Sequence, residues 1–199
     1  MSEYSVKDYG CVTDIKVYGL DESIRRAKYP MSVDTSALNS DVTNGILALS
    51  NCGKGTGHDQ WLTGVIVQFD LTYTVKAWTE AERYTFLDFI SSQSTMHRIA
   101  KFDLDNQYSE YTDPRSIEIV KELVEKYNET QSPEDYLRIL HSNPCGFKLT
   151  AGMTTNYRQL KTIYAQRRTH RLPEWREFCA WIETLPRFNE LCLKNNMEI

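Results

Sequence analysis

A chain of 199 residues, 41% of them hydrophobic, suits one domain spanning 1–199 and can bury a sizeable core, yet it holds no apolar run near the roughly 18 to 20 residues of a membrane span. The formal net charge of −4 argues against a surface that embraces nucleic acid, so neither nucleic acid nor membrane is an expected partner. The start, Met1-Ser2-Glu3-Tyr4-Ser5-Val6-Lys7, lacks a basic region followed by an apolar one, and the five cysteines are odd in number without C-x-x-C spacing. A cytoplasmic location, reduced thiols and no metal site are the expectations.

In chain order, residues 11–17 alternate, with Ile15 and Val17 on one side and Asp14 and Lys16 on the other, which predicts a half-buried strand. Tyr18-Gly19-Leu20 turns it, and Asp21 can cap a short helix that Pro30 keeps from extending. A second helix is predicted over 42–49. The glycine-rich Asn51-Cys52-Gly53-Lys54-Gly55-Thr56-Gly57 that follows is no phosphate loop, because Gly-Lys is not followed by Ser or Thr at a helix mouth. His58 leads into the most regular alternation in the chain, Val65, Val67, Phe69, Leu71, Tyr73 and Val75, predicted as the central strand. Thr79-Glu80-Ala81-Glu82 has the form of a capping box and predicts a helix from 79 to about 90.

Ile117, Val120, Leu123, Val124 and Tyr127 mark an amphipathic helix, and Ser132-Pro133 opens another that carries Arg138. Asn143-Pro144-Cys145-Gly146 is a turn before a short strand at 147–150. Leu160, Ile163, Tyr164 and Arg167 then follow the i, i+3, i+4, i+7 spacing of a buried helical stripe, with Thr154 or Thr155 available as cap. A last helix is predicted from Leu172-Pro173 through Trp181. Arg167 ends on the apolar side, where an unpaired charge is costly. It is read either as an anion-holding group or as one half of a salt bridge to Glu174 or Glu177. Positive charge gathers around it in Arg158, Lys161, Arg168, Arg171 and Arg176, which favours a focused site for a small anion or a solvated basic face.

Asn156-Tyr157-Arg158-Gln159-Leu160, Arg167 and Glu174-Trp175-Arg176-Glu177-Phe178 resemble the C-terminal signature of the flavin-dependent thymidylate synthases. Arg25-Arg26-Ala27-Lys28, His58 before the long strand, and Arg138-Ile139-Leu140 resemble further segments of that family in the same order. Its defining motif, Arg-His-Arg-x-x-Ser-x-Asn-x-x-Ser-x-Arg-Tyr, falls on 86–99, where Ser91 and Arg98 match and Gln93 stands near asparagine. Phe86-Leu87-Asp88 replaces Arg-His-Arg, and Met96 and Ile99 replace the second serine and the tyrosine.

The resemblance implies an α/β (α+β) fold with a twisted, mainly antiparallel sheet flanked by helices, in a homotetramer whose pockets lie between subunits. It implies C5 methylation or hydroxymethylation of a dUMP-like nucleotide monophosphate, with FAD as cofactor and methylene-tetrahydrofolate as co-substrate. Arg167 would polarise the base, and Arg98, Arg138 and Ser94 would hold the nucleotide. Asn156, Arg158, Ser91 and His58 would face the flavin, whose grip the change at 86–88 weakens. Two other readings stay open: a homologue that binds a nucleotide without FAD chemistry, and a structural protein whose arginines serve only salt bridges.

Overall fold

The computed structural model describes residues 1–53 and 55–193, so Lys54 of the glycine-rich stretch lies outside the described residues. Its strands are β1 (Glu3–Val6), β2 (Val12–Tyr18), β3 (Ile66–Thr74), β4 (Asp88–Ser92) and β5 (Lys148–Asn156). The helices are α1 (Leu20–Ala27), α2 (Asn44–Ser50), α3 (Val75–Ala81), α4 (Thr95–Arg98), α5 (Pro114–Thr130), α6 (Pro133–Ser142), α7 (Tyr157–Arg167) and α8 (Pro173–Ile182). The strands make one five-stranded antiparallel sheet in the order β1-β2-β3-β5-β4, flanked by helices. No helix among the described residues is long and apolar enough to cross a membrane.

By its contacts the chain divides into two compact units. One comprises residues up to Leu71, Tyr84–Ile90 and the chain from Gly152 onward; the other comprises Thr72–Arg83 and Ser91–Ala151.

In the first unit, β1 and β2 form a hairpin around Gly10, whose φ of 53° is open to glycine and costly for other residues. A side-chain carbon there would also lie 1.8 Å from Glu177 Oε1, so the Glu177 carboxylate would have to move to admit one. Ile15 and Val17 of β2 are buried as the alternation predicts, across a bulge that sets Asp14 at φ 48°. The core is built on Val67, Phe69 and Leu71 of β3, with Trp175, Phe178 and Trp181 of α8 fully buried. The Phe69 ring lies 5.9 Å from Phe178 and 4.7 Å from Trp181. Burying each such ring stabilises the unit by roughly 1.5 to 3 kcal/mol, enough to hold α8 in place.

The second unit has its own core of Ile99, Leu104, Tyr108, Val120, Ile139 and Phe147. Phe102 and Tyr108 meet Phe147 edge-on at 5.2 and 5.3 Å. Asp113 caps α5 by accepting from Arg115 N at 2.9 Å; Ser132 caps α6 with Pro133 in its first turn, the start predicted from Ser132-Pro133.

The segment 74–92 departs from expectation. The long strand ends at Thr74, whose hydroxyl accepts from Ala77 N at 3.2 Å and so starts α3 five residues before the predicted cap. Thr79 donates instead to Lys76 O, inside the helix. The helix stops at Ala81, and residues 88–92 return as β4. The β-prone Phe89-Ile90 pair on an edge strand outweighs the capping box, so Ser91 sits on a strand rather than a helix. Likewise the strand predicted at 147–150 runs on to Asn156.

Candidate functional site

Helix α7 begins where β5 ends, and its N-cap is Asn156 rather than Thr154 or Thr155. Asn156 Oδ1 accepts from Gln159 N at 3.0 Å, which frees the side chain of Thr155 to donate to Phe86 O at 2.6 Å. Gln159, Thr162 and Gln166 follow one another at i, i+3 and i+7, so they share a polar stripe opposite the buried Tyr157, Leu160 and Ile163. This stripe, with Asn156, Arg158 and Phe86, lines one side of a cavity of about 530 Å³; Gly55, Asp59, Gln60 and Thr63 line the other.

The cavity's cation is not free. Arg158 Nε donates to Asp59 Oδ1 at 2.9 Å and its Nη1 to Gln60 Oε1 at 2.8 Å. Lys161 reaches the other carboxylate oxygen of Asp59 at 3.4 Å and also donates to Ser50 O. Asp59 therefore joins two positive groups on consecutive turns of α7 and offsets much of the field that they would present to an anion. His58 is exposed at the head of the 3-10 segment His58–Gly64.

Arg167 is 9% exposed, as the apolar stripe predicts, and it packs between aromatic rings. Its guanidinium carbon lies 5.4 Å from the centre of Tyr84 and 4.9 Å from that of Trp175, and Nε donates to Tyr84 Oη at 2.7 Å. Tyr84 Oη in turn donates to Gln166 Oε1 at 2.9 Å. Arg167 does not itself line the cavity; its neighbour Gln166 does. Tyr164, placed on the same stripe by spacing, is instead half-buried and donates to Glu183 Oε1 at 2.6 Å. Glu177 faces Gly10 and hydrogen-bonds Cys11.

The other predicted site residues belong to the second unit. Ser91 is exposed on β4, Ser94 is half-buried ahead of α4 and makes no capping bond, and Arg98 is exposed at the end of α4. Arg138 is tied to its own helix, donating to Glu134 Oε1 at 2.7 Å and Asp135 Oδ1 at 3.4 Å. At 86–88, Phe86 is 59% exposed, Leu87 is buried and Asp88 is exposed, so this segment offers a ring and a carboxylate but no cation.

None of the five cysteines, all among the described residues, forms a disulfide. Burial pushes the Cys179 and Cys192 thiols up to about 12, and burial with the nearby Glu177 raises Cys11 too, so these three are protonated and inert as nucleophiles.

Tyr84, Asp59, Gln60 and Gln166 were not legible as site residues. The stripe Gln159, Thr162, Gln166 carried a signal, since a row of amide and hydroxyl groups at helical spacing faces one way. Asp59 and Gln60 lie on the short 3-10 segment His58–Gly64 and Tyr84 on the connection between α3 and β4, neither long enough for such periodicity to show.

No family profile matches the sequence, and no curated relative matches it. Solved structures match in fold. The flavin-dependent thymidylate synthase ThyX from Helicobacter pylori, complexed with FAD and dUMP, superposes with a TM-score of 0.69 at 14% identity, over 98% of this chain and 99% of that one. The UMP/dUMP methylase PolB from Streptomyces cacaoi, bound with 5-Br dUMP, superposes with a TM-score of 0.60 at 15% identity, over 90% and 94% of the two chains. The chain has the fold of these proteins along nearly its whole length.

Proposed function

We propose that the protein binds a dUMP-like pyrimidine nucleoside monophosphate and promotes methylation or hydroxymethylation at its C5, in the manner of the flavin-dependent thymidylate synthases. The observation that carries this reading is the end-to-end fold likeness to ThyX, which was solved with FAD and dUMP, combined with an arginine of α7 held buried against two rings. In this reading Arg167 stabilises the negative charge that develops on the base as C5 is activated, and a guanidinium fixed in advance does so without reorganising. By the resemblance, Arg98, Arg138 and Ser94 are the residues proposed to hold the nucleotide. Asn156, Arg158, Ser91 and His58 form the cofactor side, and the one-carbon unit comes from a methylene-tetrahydrofolate. The exposed edge strand β4, with Phe89 and Ile90 open to solvent, suits a surface covered in a homotetramer.

FAD would supply the hydride in such a reaction, but the residues here do not fit its diphosphate. Arg158 and Lys161 are shared with Asp59, and the segment 86–88 contributes Asp88 where the family has arginines. No step is derived through it.

That same segment favours a second reading, a degenerate homologue that binds the nucleotide in a regulatory or carrier role without FAD chemistry. The two are separated by incubating the protein with dUMP tritiated at C5, methylene-tetrahydrofolate and reduced FAD. Release of tritium with a C5-substituted product supports the first reading, and binding of dUMP without release supports the second.

A further inference from the structure

One hydroxyl is tied to two successive residues of α7. Tyr84 Oη accepts from Arg167 Nε at 2.7 Å and donates to Gln166 Oε1 at 2.9 Å. Arginine can only donate, so its N–H takes a lone pair of the phenol and the phenol proton goes to the amide oxygen. The hydroxyl cannot turn without breaking one of the two bonds. Its ring is held as well. Tyr84 is buried, its carbonyl accepts from Leu87 N at 3.1 Å, and two residues on, Phe86 O accepts from the Thr155 hydroxyl at 2.6 Å. Thr155 belongs to β5, the strand that runs into α7, so the phenol and the guanidinium are anchored to the same piece of scaffold.

The rings of Tyr84 and Trp175 lie 5.4 and 4.9 Å from the guanidinium carbon and 5.6 Å from each other. A guanidinium is planar, so fixing Nε against these rings fixes the plane, and with it the direction of both Nη groups. Arg158 is treated differently. There the Asp59 carboxylate takes Nε at 2.9 Å and offsets the charge, whereas at Arg167 a neutral phenol takes Nε and, at that nitrogen, offsets none of it. The arginine on the cavity wall is masked; the buried one is oriented.

We propose that Tyr84 is a positioning residue: through Nε it sets the Arg167 guanidinium so that the cation meets the charge developing on the base without first reorienting. The inference rests on the reading above, in which Arg167 polarises the base, and adds the residue that holds it ready. Orientation matters most to the form of the nucleotide that carries the charge. Removing the hydroxyl should therefore spare binding of the neutral nucleotide and impair binding of its base anion.

The probe is 5-bromo-dUMP, which supplies that anion without any cofactor. Its halogen withdraws electrons and makes N3–H acidic enough to ionise under mild conditions, and ionisation changes the ultraviolet spectrum of the base. Binding to the full chain is followed by difference spectra across pH, with dUMP at neutral pH reporting the neutral form. In the parent the bound base should ionise at lower pH than the free one, its anion binding about tenfold more tightly than its neutral form. Tyr84→Phe keeps the ring and should cut that ratio to about threefold or less, while dUMP affinity changes by less than about twofold. Gln166→Met leaves Tyr84 whole but removes the acceptor of its proton; it should lower the ratio in the same direction, and it carries the test if Tyr84→Phe unfolds. Arg167→Met should abolish the preference, and adding Tyr84→Phe to it should change nothing further, because Tyr84 acts through the guanidinium. A merely structural Tyr84 would weaken both forms equally and leave their ratio alone. That result, or a parent that binds 5-bromo-dUMP with no preference for the anion, overturns the inference while nucleotide binding stands. Failure of the parent to bind either nucleotide overturns both.

Discussion

Arg167 and Tyr84 are joined twice: the guanidinium lies 5.4 Å from the centre of the phenol ring and donates to its hydroxyl at 2.7 Å. The ring meets Trp175 at 5.6 Å on its other contact, so Tyr84 is part of the packing of α8 as well as the partner of a charge. Tyr84→Ala should therefore cost about 5 kcal/mol, the upper end for buried aromatic truncations, while Tyr84→Phe should cost about 2 kcal/mol, the loss of a hydrogen bond from a buried cation. Denaturant unfolding of the two variants checks this; equal losses would mean that the ring contributes nothing beyond its hydroxyl.

Asp59 holds Arg158 and Lys161 together across one turn of α7. Removing its charge in Asp59→Asn should lower stability by about 1 kcal/mol, a small figure because Arg158 is partly solvated. The same change frees two cations at the cavity, so inorganic phosphate and FAD should bind more tightly to Asp59→Asn than to the parent. Titration by fluorescence or calorimetry measures this, and an unchanged or lower anion affinity would show that Asp59 does not mask the site.

The spectrum of the purified protein follows from 86–88. With Asp88 in place of an arginine and Arg158 already committed, FAD should not copurify, and the visible flavin absorption should be absent or far below one per chain. Stoichiometric, tightly held flavin would refute this.

An acid-dependent contribution to stability sits at the N-terminus. The Ser2 hydroxyl donates to Glu22 Oε2 at 2.6 Å and holds its carboxyl down at about 2, with the Ser2 amide and the terminal ammonium assisting. A folded pKa below the unfolded value of about 4.3 means that the stabilisation is present above roughly pH 4.3 and is lost as pH falls toward 2. Ser2→Ala should lower the melting temperature at pH 6, with a gap that closes on acidification. A gap that stays constant down to pH 2 would place its origin elsewhere.

Much of this architecture could be read in the residues, and the exceptions have physical causes. Burial of Ile15, Val17, Val67, Phe69, Leu160, Ile163 and Arg167 follows from alternation and helical spacing, because each lies in an element long enough for period to show. The cap at Ser132 was legible because its chemistry is local. The region 74–92 was misread because a capping box is also local, and nothing local reveals that Thr74 caps earlier or that 88–92 pairs into the sheet. The cavity escaped for a related reason: Asp59 and Gln60 meet Arg158 across 99 and 98 positions of sequence, and Tyr84 meets Arg167 across 83.

The measurement that tests the account most directly is calorimetric titration of dUMP into the parent, Arg167→Ala and Arg168→Ala. Charge-assisted hydrogen bonds are worth roughly 1.5 to 3 kcal/mol, so Arg167→Ala should bind dUMP about tenfold to a hundredfold more weakly. Arg168, exposed at the end of α7, is the control and should bind as the parent does. An Arg167→Ala protein that remains folded by circular dichroism and binds dUMP as tightly as the parent would contradict the nucleotide-site reading and leave Arg167 as a packing residue between Tyr84 and Trp175.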